Sequence, residues 1–273
     1  MVKANDATEQ DNREFQTLVD IVARLRAPDG CPWDREQTHQ SLTPFLIEET
    51  YEAVEQIDAN SLPGLREELG DILLQVMLHS EIATEEEAFT VADVIEGLVN
   101  KLIRRHPHVF GDAEARTAEE VAARWEVLKS EERQGASLMQ GVPANLPALT
   151  YAQRAQGRAA NVGFDWPSVD GVMDKVVEEA QELAEANESA GTEGTDESRA
   201  AIEWEFGDLL FSLVNLGRRM DIDAETALRH ANRRFVTRFR TMEDTARERG
   251  DNFPSLSLEQ MDALWEEAKR GEA

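Results

Sequence analysis

Apolar positions recur at helical spacing along almost the whole chain. Phe15, Leu18, Val19, Val22 and Leu25 keep a three-to-four-residue period that Pro28-Asp29-Gly30 interrupts. This predicts a first helix after a frayed tail of about twelve residues. A loop with Cys31-Pro32-Trp33-Asp34 follows, then a helix over 43–57 with Thr43 as N-cap and Pro44 in its first turn. A turn over 58–64 leads to a helix ending near Ile82, and another spans 91–105 before a loop over 107–112. Thr117, with Glu120 three residues on, opens a last helix of this half. Residues 134–147 hold two glycines and two prolines and read as a connection. The second half repeats the plan: a helix over 147–160, a loop around 163–167, the Glu178 helix, a flexible crossing over 189–198 and the Glu205 helix. Helices over 224–249 and from Leu258 complete it. No stretch alternates as a strand would, so the expected fold is all-α.

Two places break the apolar pattern in the same way. Leu69, Ile72, Leu73, Leu74, Val76, Met77 and Leu78 are what a buried helix needs, yet Glu68 and Asp71 lead into them on one helix face. Glu205 and Asp208 introduce Leu209, Leu210, Phe211, Leu213 and Val214 likewise. An acidic cluster precedes each: Glu48, Glu49 and Glu52 in the first half, Glu178, Glu179 and Glu182 in the second. The basic stretches 101–105 and 234–238, and the segments beginning at Trp125 and Trp265, recur in the same order. A repeat this long means duplicated domains, drawn here as 1–135 and 136–273.

Charge narrows the partners. The formal net charge of −27 disfavours nucleic acid and anionic membrane as partners. A small anion complexed to a metal is still admitted, because the cation inverts the local field. Only 5 of the 28 basic residues are Lys, which fits a high-salt interior or an Arg-favouring genome equally well. The lone Cys31, the polar start of the chain and the lack of an 18-residue apolar run lead to a cytoplasmic expectation.

Buried acids are costly unless paired or metal-bound. Glu49 and Glu52 lie about 60° apart on a helix of 3.6 residues per turn, as do Glu68 and Asp71 on the next. A short turn should make the two helices antiparallel, so four carboxylates face one another. Without a cation they repel, and an oxygen-only donor set suits Mg²⁺ or Mn²⁺. EExxE alone is common on solvated faces of an acidic chain. Its ordered double occurrence with ExxD is what points to metal. Trp125 and Trp265 taken singly read as core anchors, and the arginines taken singly as surface charge.

Gly-Cys-Pro-Trp-Asp at 30–34, the EExxE and Glu-Leu-Gly-Asp motifs, and Arg104-Arg105-His106-Pro107-His108-Val109-Phe110 together resemble the MazG family of nucleoside triphosphate pyrophosphohydrolases. Asn161-Val162-Gly163-Phe164-Asp165-Trp166 is similar to the C-terminal domain of its two-domain members. The resemblance implies two tandem all-α helical bundles, a homodimer, and hydrolysis of NTPs and dNTPs to a monophosphate and pyrophosphate. It implies that Lys175, Arg234 and Arg238 contact phosphates and that Trp265 packs against the nucleotide. Lys101, Arg104, Arg105 and Trp125 are the first-half counterparts. Glu178 is the glutamate free to orient or deprotonate a water. Lys175 has Phe45 as its first-half counterpart, which favours the second half as the working one. Arg234 stands where related chains often carry Lys, a change in phosphate geometry. Two rivals stand beside this reading. A di-iron bundle needs Glu-x-x-His on two helices, and only 36–39 has that spacing. An acidic helical scaffold or regulator with a vestigial metal site is the non-enzymatic alternative.

Overall fold

Caps set where the helices begin. The computed structural model describes residues 6–111, 117, 120–121, 137–191 and 195–271, and among these every regular element is helical. In the first half these are α1 (Asp6–Arg26), α2 (Pro32–Glu36), α3 (His39–Asp58), α4 (Leu62–Glu85), α5 (Val91–Arg105) and α6 (Pro107–Phe110). In the second they are α7 (Ala148–Ala160), α8 (Val169–Ala190), α9 (Asp196–Arg219), α10 (Ala224–Arg249) and α11 (Leu258–Arg270). No helix among the described residues is long and apolar enough to cross a membrane.

Several boundaries differ from the sequence reading. The tail is helical from Asp6. α3 starts five residues early because Thr38, not Thr43, is its cap. The Thr38 hydroxyl accepts from Ser41 N–H at 3.1 Å, and Ser41 Oγ accepts from Thr38 N–H at 2.9 Å. That capping box satisfies two orphan donors, and Leu42, wholly buried, holds the added turn, so Pro44 is tolerated inside the helix. The supposed loops at 31–34 and 107–112 each contain a short helix. The crossing between α8 and α9 shrinks to five residues, 191–195, because Thr195 caps α9. At Thr117 the hydroxyl accepts from Glu120 N–H at 3.3 Å, and the helix expected beyond lies outside the described residues.

The chain divides into two units, Met1–Leu128 and Lys129–Ala273. In the first, α3 and α4 pack along each other after the 59–61 turn, and Val22, Leu42, Met77, Leu78 and Ile82 form its buried core. Arg26 is buried there. It donates to both Glu85 carboxylate oxygens, at 2.9 and 2.7 Å, and to the carbonyls of Asp34 and Gln37, so it ties down the Trp33 loop. Gly30 closes this loop, since a Cβ there would meet the Leu25 carbonyl at 2.3 Å. In the second unit α8 pairs with α9, α7 packs on α9, and α10 pairs with α11 around Met242, Ala246, Leu264 and Ala268. Gly250, at φ 79°, gives α10 its left-handed C-terminal cap.

The loop before α8 has its own clamp. Asp165 accepts from Trp166 N–H at 2.9 Å, from Arg219 Nη1 at 3.1 Å and from Arg218 Nη2. The Arg218 hydrogen bond, above all, holds the Asp165 carboxyl below the usual carboxylate range. A depressed folded-state pKa contributes stability above the unfolded value of about 3.9, and that stability is lost as pH falls through the folded value. Asp165→Asn should therefore cost about 1–3 kcal/mol in urea unfolding at neutral pH, the worth of hydrogen bonds to a charged group. The gap between variant and wild type should close below about pH 4. A gap independent of pH would show that the clamp is not ionic.

Candidate functional site

The α3–α4 hairpin brings the first acidic set together. Glu49 on α3 and Glu68 and Asp71 on α4, all half-buried, each place a carboxylate oxygen within 4.8 Å of the others. Glu52, one turn on from Glu49, is exposed, and its charge bears on both Glu49 and Glu68. Loss of water contact, followed by the charges of Asp71 and Glu52, pushes the Glu49 carboxyl up. The same loss, with Glu52 and Asp71 next, pushes Glu68 up. Glu48 is exposed on α3 and falls outside the set. Where the second half has a lysine, Phe45 meets the Trp33 ring edge-on at 5.8 Å.

The α8–α9 hairpin builds the second set from Glu179, Glu205 and Asp208, again within 4.8 Å. Glu179 is buried, Glu205 half-buried and Asp208 exposed, so the cluster opens to solvent on one side. Here a cation is built in. Lys175 Nζ lies 2.5 Å from Glu179 Oε1 and 3.1 Å from Glu178 Oε1, and these bonds hold its pKa above the ordinary lysine range. Glu182 is exposed and outside the three, yet desolvation and the Glu179 charge push it up. Gly70 and Gly207, each one residue before the aspartate, have nothing within 4 Å of a built Cβ. A helical glycine costs about 1 kcal/mol against alanine, and no packing among the described residues accounts for these two. Both donor sets fit a hard divalent cation: all oxygen, converging, partly desolvated and mutually repelling.

The basic and aromatic candidates lie elsewhere in each unit. Arg234 and Arg238 are on α10 and Trp265 on α11, two helices that pack chiefly on each other. The Arg238 guanidinium sits 5.6 Å from the Trp265 ring centre, and the Phe235 ring lies tilted at 47° to the same ring, 5.5 Å away. Trp265 also packs against the α10–α11 core, so it has a structural occupation independent of any ligand. Lys101, Arg104 and Arg105 are on α5, which packs on α4. Trp125 lies outside the described residues. The sequence reading did not single out the Asp165–Arg218–Arg219 clamp or Gln156. Their only signal was an aspartate beside a tryptophan in the loop of each half, Asp34 and Asp165.

Residues 37–110, and again 168–242, match the family model of the MazG nucleotide pyrophosphohydrolase domain. Both carboxylate sets fall inside these segments, and Trp125 and Trp265 fall outside. The chain is 46% identical over 260 residues to the nucleoside triphosphate pyrophosphohydrolase/pyrophosphatase MazG of Thermotoga maritima, covering 94% of this chain and 96% of that one. It is 44% identical over 263 residues to the nucleoside triphosphate pyrophosphohydrolase of Escherichia coli, covering 95% and 98%. It is also 46% identical over 261 residues to the uncharacterized protein YabN of Bacillus subtilis, covering 95% of this chain and 52% of that one.

The repulsion in the first set has a measurable consequence. A carboxyl whose folded-state pKa is raised contributes full stability below its unfolded value and loses it as pH rises through the folded value. In chelator, Glu68→Gln should therefore melt above wild type at pH 7, with the difference vanishing near pH 4. Mg²⁺ or Mn²⁺ should raise the melting temperature of wild type and raise it less in the variant. A variant that melts below wild type at pH 7 in chelator would mean that the cluster does not repel.

Proposed function

The chain belongs to the MazG nucleotide pyrophosphohydrolase family and is a hydrolase, and we propose that it cleaves nucleoside triphosphates between the α and β phosphates, releasing a nucleoside monophosphate and pyrophosphate. The observation that carries this reading is the converging oxygen set Glu179, Glu205 and Asp208 with an ammonium at its edge. Those three, joined by Glu182, would hold Mg²⁺ or Mn²⁺. A divalent ion bound there supplies charge neutralisation at the phosphates and a water of lowered pKa.

The chain's own groups account for the rest. Lys175 carries a compact point charge that a cation on Glu179 would displace toward the triphosphate. Glu178, exposed beside it, becomes free to accept a proton from a water and orient it. Arg234 and Arg238 bind phosphate oxygens, and Trp265 flanks the nucleotide, roles taken from the family resemblance. We assign catalysis to the C-terminal domain, 136–273. In the N-terminal domain, 1–135, Glu49, Glu68 and Asp71, joined by Glu52, would form a second cation site without a lysine. Nucleotide-pool control or removal of aberrant nucleotides in the cytoplasm suits such an activity, and the charge of −27 argues against nucleic acid or membrane as a partner. Leu69, Leu73 and Val76 on α4, and Val94, Leu98 and Leu102 on α5, are each at least 38% exposed, a contiguous pattern that a second copy of the chain would cover.

ATP with Mg²⁺ should yield AMP and pyrophosphate without an ADP intermediate, and chelator should stop the reaction. Primary release of ADP and phosphate would refute the assignment, and no release at all would favour a regulatory scaffold. Glu182→Gln or Asp208→Asn should lower hydrolysis by more than about 100-fold. Glu52→Gln or Asp71→Asn should leave most of it, and the reverse pattern would move catalysis to the first half. Light scattering should give twice the 30.6 kDa chain mass at micromolar concentration.

A further inference from the structure

His39 opens α3 and His79 lies on α4, and both are half-buried. Their Nδ1 atoms are 2.7 Å apart. The rings are parallel to within 6°, with centres 5.1 Å apart. Centres so far apart with nitrogens so close set the rings edge to edge, each Nδ1 aimed at the other.

Packing does not require histidine at this level of a hairpin. The second half has Val169 ten residues before Glu179 and Leu216 eight after Asp208. Those are the offsets of His39 from Glu49 and of His79 from Asp71. An apolar pair stands at these positions in the second hairpin, and the first sets two titratable rings there.

A single proton between the rings makes the bond, and a proton on each facing nitrogen breaks it. In the neutral pair one ring donates its Nδ1–H to the bare Nδ1 of the other, which carries its own proton on Nε2. A first added proton goes to the unprotonated Nε2 of the donor ring, and the bond survives, strengthened by charge. A second must go to the bare Nδ1. Two N–H groups and two positive charges then face each other, and the rings part.

Among the described residues no neighbouring charge favours protonation of His79. On α1, Arg24 is bound to Asp29 and Arg26 to Glu85 of α4. On α2, Arg35 donates to the Pro28 carbonyl, and Asp34 and Glu36 are the acids. On α5, Asp93 accepts at the Thr90 cap. α3 has no acid before Glu48, and on α4 the nearest is Glu81, which answers to Glu85 and Arg26. Loss of water contact first, and the His39 charge second, hold the His79 imidazole below the usual histidine pKa.

The turn that His39 heads supports the loop before it. Ser41 Oγ bonds Thr38 and Gln37, the Gln37 carbonyl accepts from Arg26, and Phe45 further along α3 meets Trp33 edge-on. We infer that His39 and His79 form a latch opened by acid: the second proton parts the first turn of α3 from α4 and releases Trp33 from Phe45. No metal or substrate takes part, so the inference stands apart from the hydrolase reading. In the unfolded chain both imidazoles take protons at about pH 6.5, whereas the folded pair holds the second off. The unfolded state therefore binds more protons below that pH. The stability the latch contributes is full above it and is lost as pH falls.

The test compares the full chain with two variants in chelator. His39→Asn keeps an amide that turns to accept or donate without titrating, and His39→Val with His79→Leu copies the second half. All other titrating groups are common to the three. Melting temperature is followed from pH 8 to pH 5, with fluorine NMR of fluorotryptophan-labelled chain, the Trp33 signal being assigned through Trp33→Phe. Wild type should lose about 2–8 °C more between pH 7 and pH 5 than either variant, the worth of one hydrogen bond in a domain of this size. Its Trp33 signal should shift over the same range and stay fixed in the variants. Either variant alone gives the comparison if the other fails to fold. Melting profiles of equal slope in wild type and variant overturn the latch. So does a Trp33 signal that stays fixed in wild type or moves equally in the variants.

Discussion

Mutual repulsion among carboxylates on a helical hairpin is the constraint on which the site depends. Each half places three oxygens within 4.8 Å and withdraws them partly from water, where like charges cannot all be ionised cheaply. The apolar residues that follow Glu68–Asp71 and Glu205–Asp208 fix the hairpins firmly enough to hold the acids in that arrangement. The fold thereby maintains a site that is unfavourable by itself, as expected where a cation completes it.

The two halves relieve that repulsion differently. In the second, Lys175 lies on Glu179 and Glu178, an internal counter-ion that a metal would displace. In the first, Phe45 and Trp33 pack edge to face, and no ammonium stands in that place. Loss of water contact, followed by the charges of neighbouring carboxylates, raises Glu49 and Glu68. The two halves share the carboxylates and differ at one place, a lysine in the second against an aromatic in the first.

The loops before the two acidic helices show the same divergence. Arg26 holds the first by reaching its backbone carbonyls, which leaves Trp33 against Phe45. Asp165 holds the second through side-chain ion pairs with Arg218 and Arg219, one carboxylate shared by two guanidiniums beside an aromatic-walled cavity on α9.

Periodicity alone determined that the chain is helical and built as two repeats, because 3.6-residue spacing and ordered recurrence are local properties of the string. The identity of the acid sets was legible for the same reason: Glu49, Glu68, Asp71, Glu179, Glu205 and Asp208 all stood out in the sequence. Boundaries were less legible, since Thr38 and Thr43 are both plausible caps and only the Ser41 reciprocal bond with buried Leu42 chooses between them. The tertiary structure alone decided that Trp265 packs into the α10–α11 core under Arg238 and that Asp165 spans to α9. Those facts depend on side chains up to 54 residues apart meeting across packed helices, and no spacing rule along the chain encodes such distances.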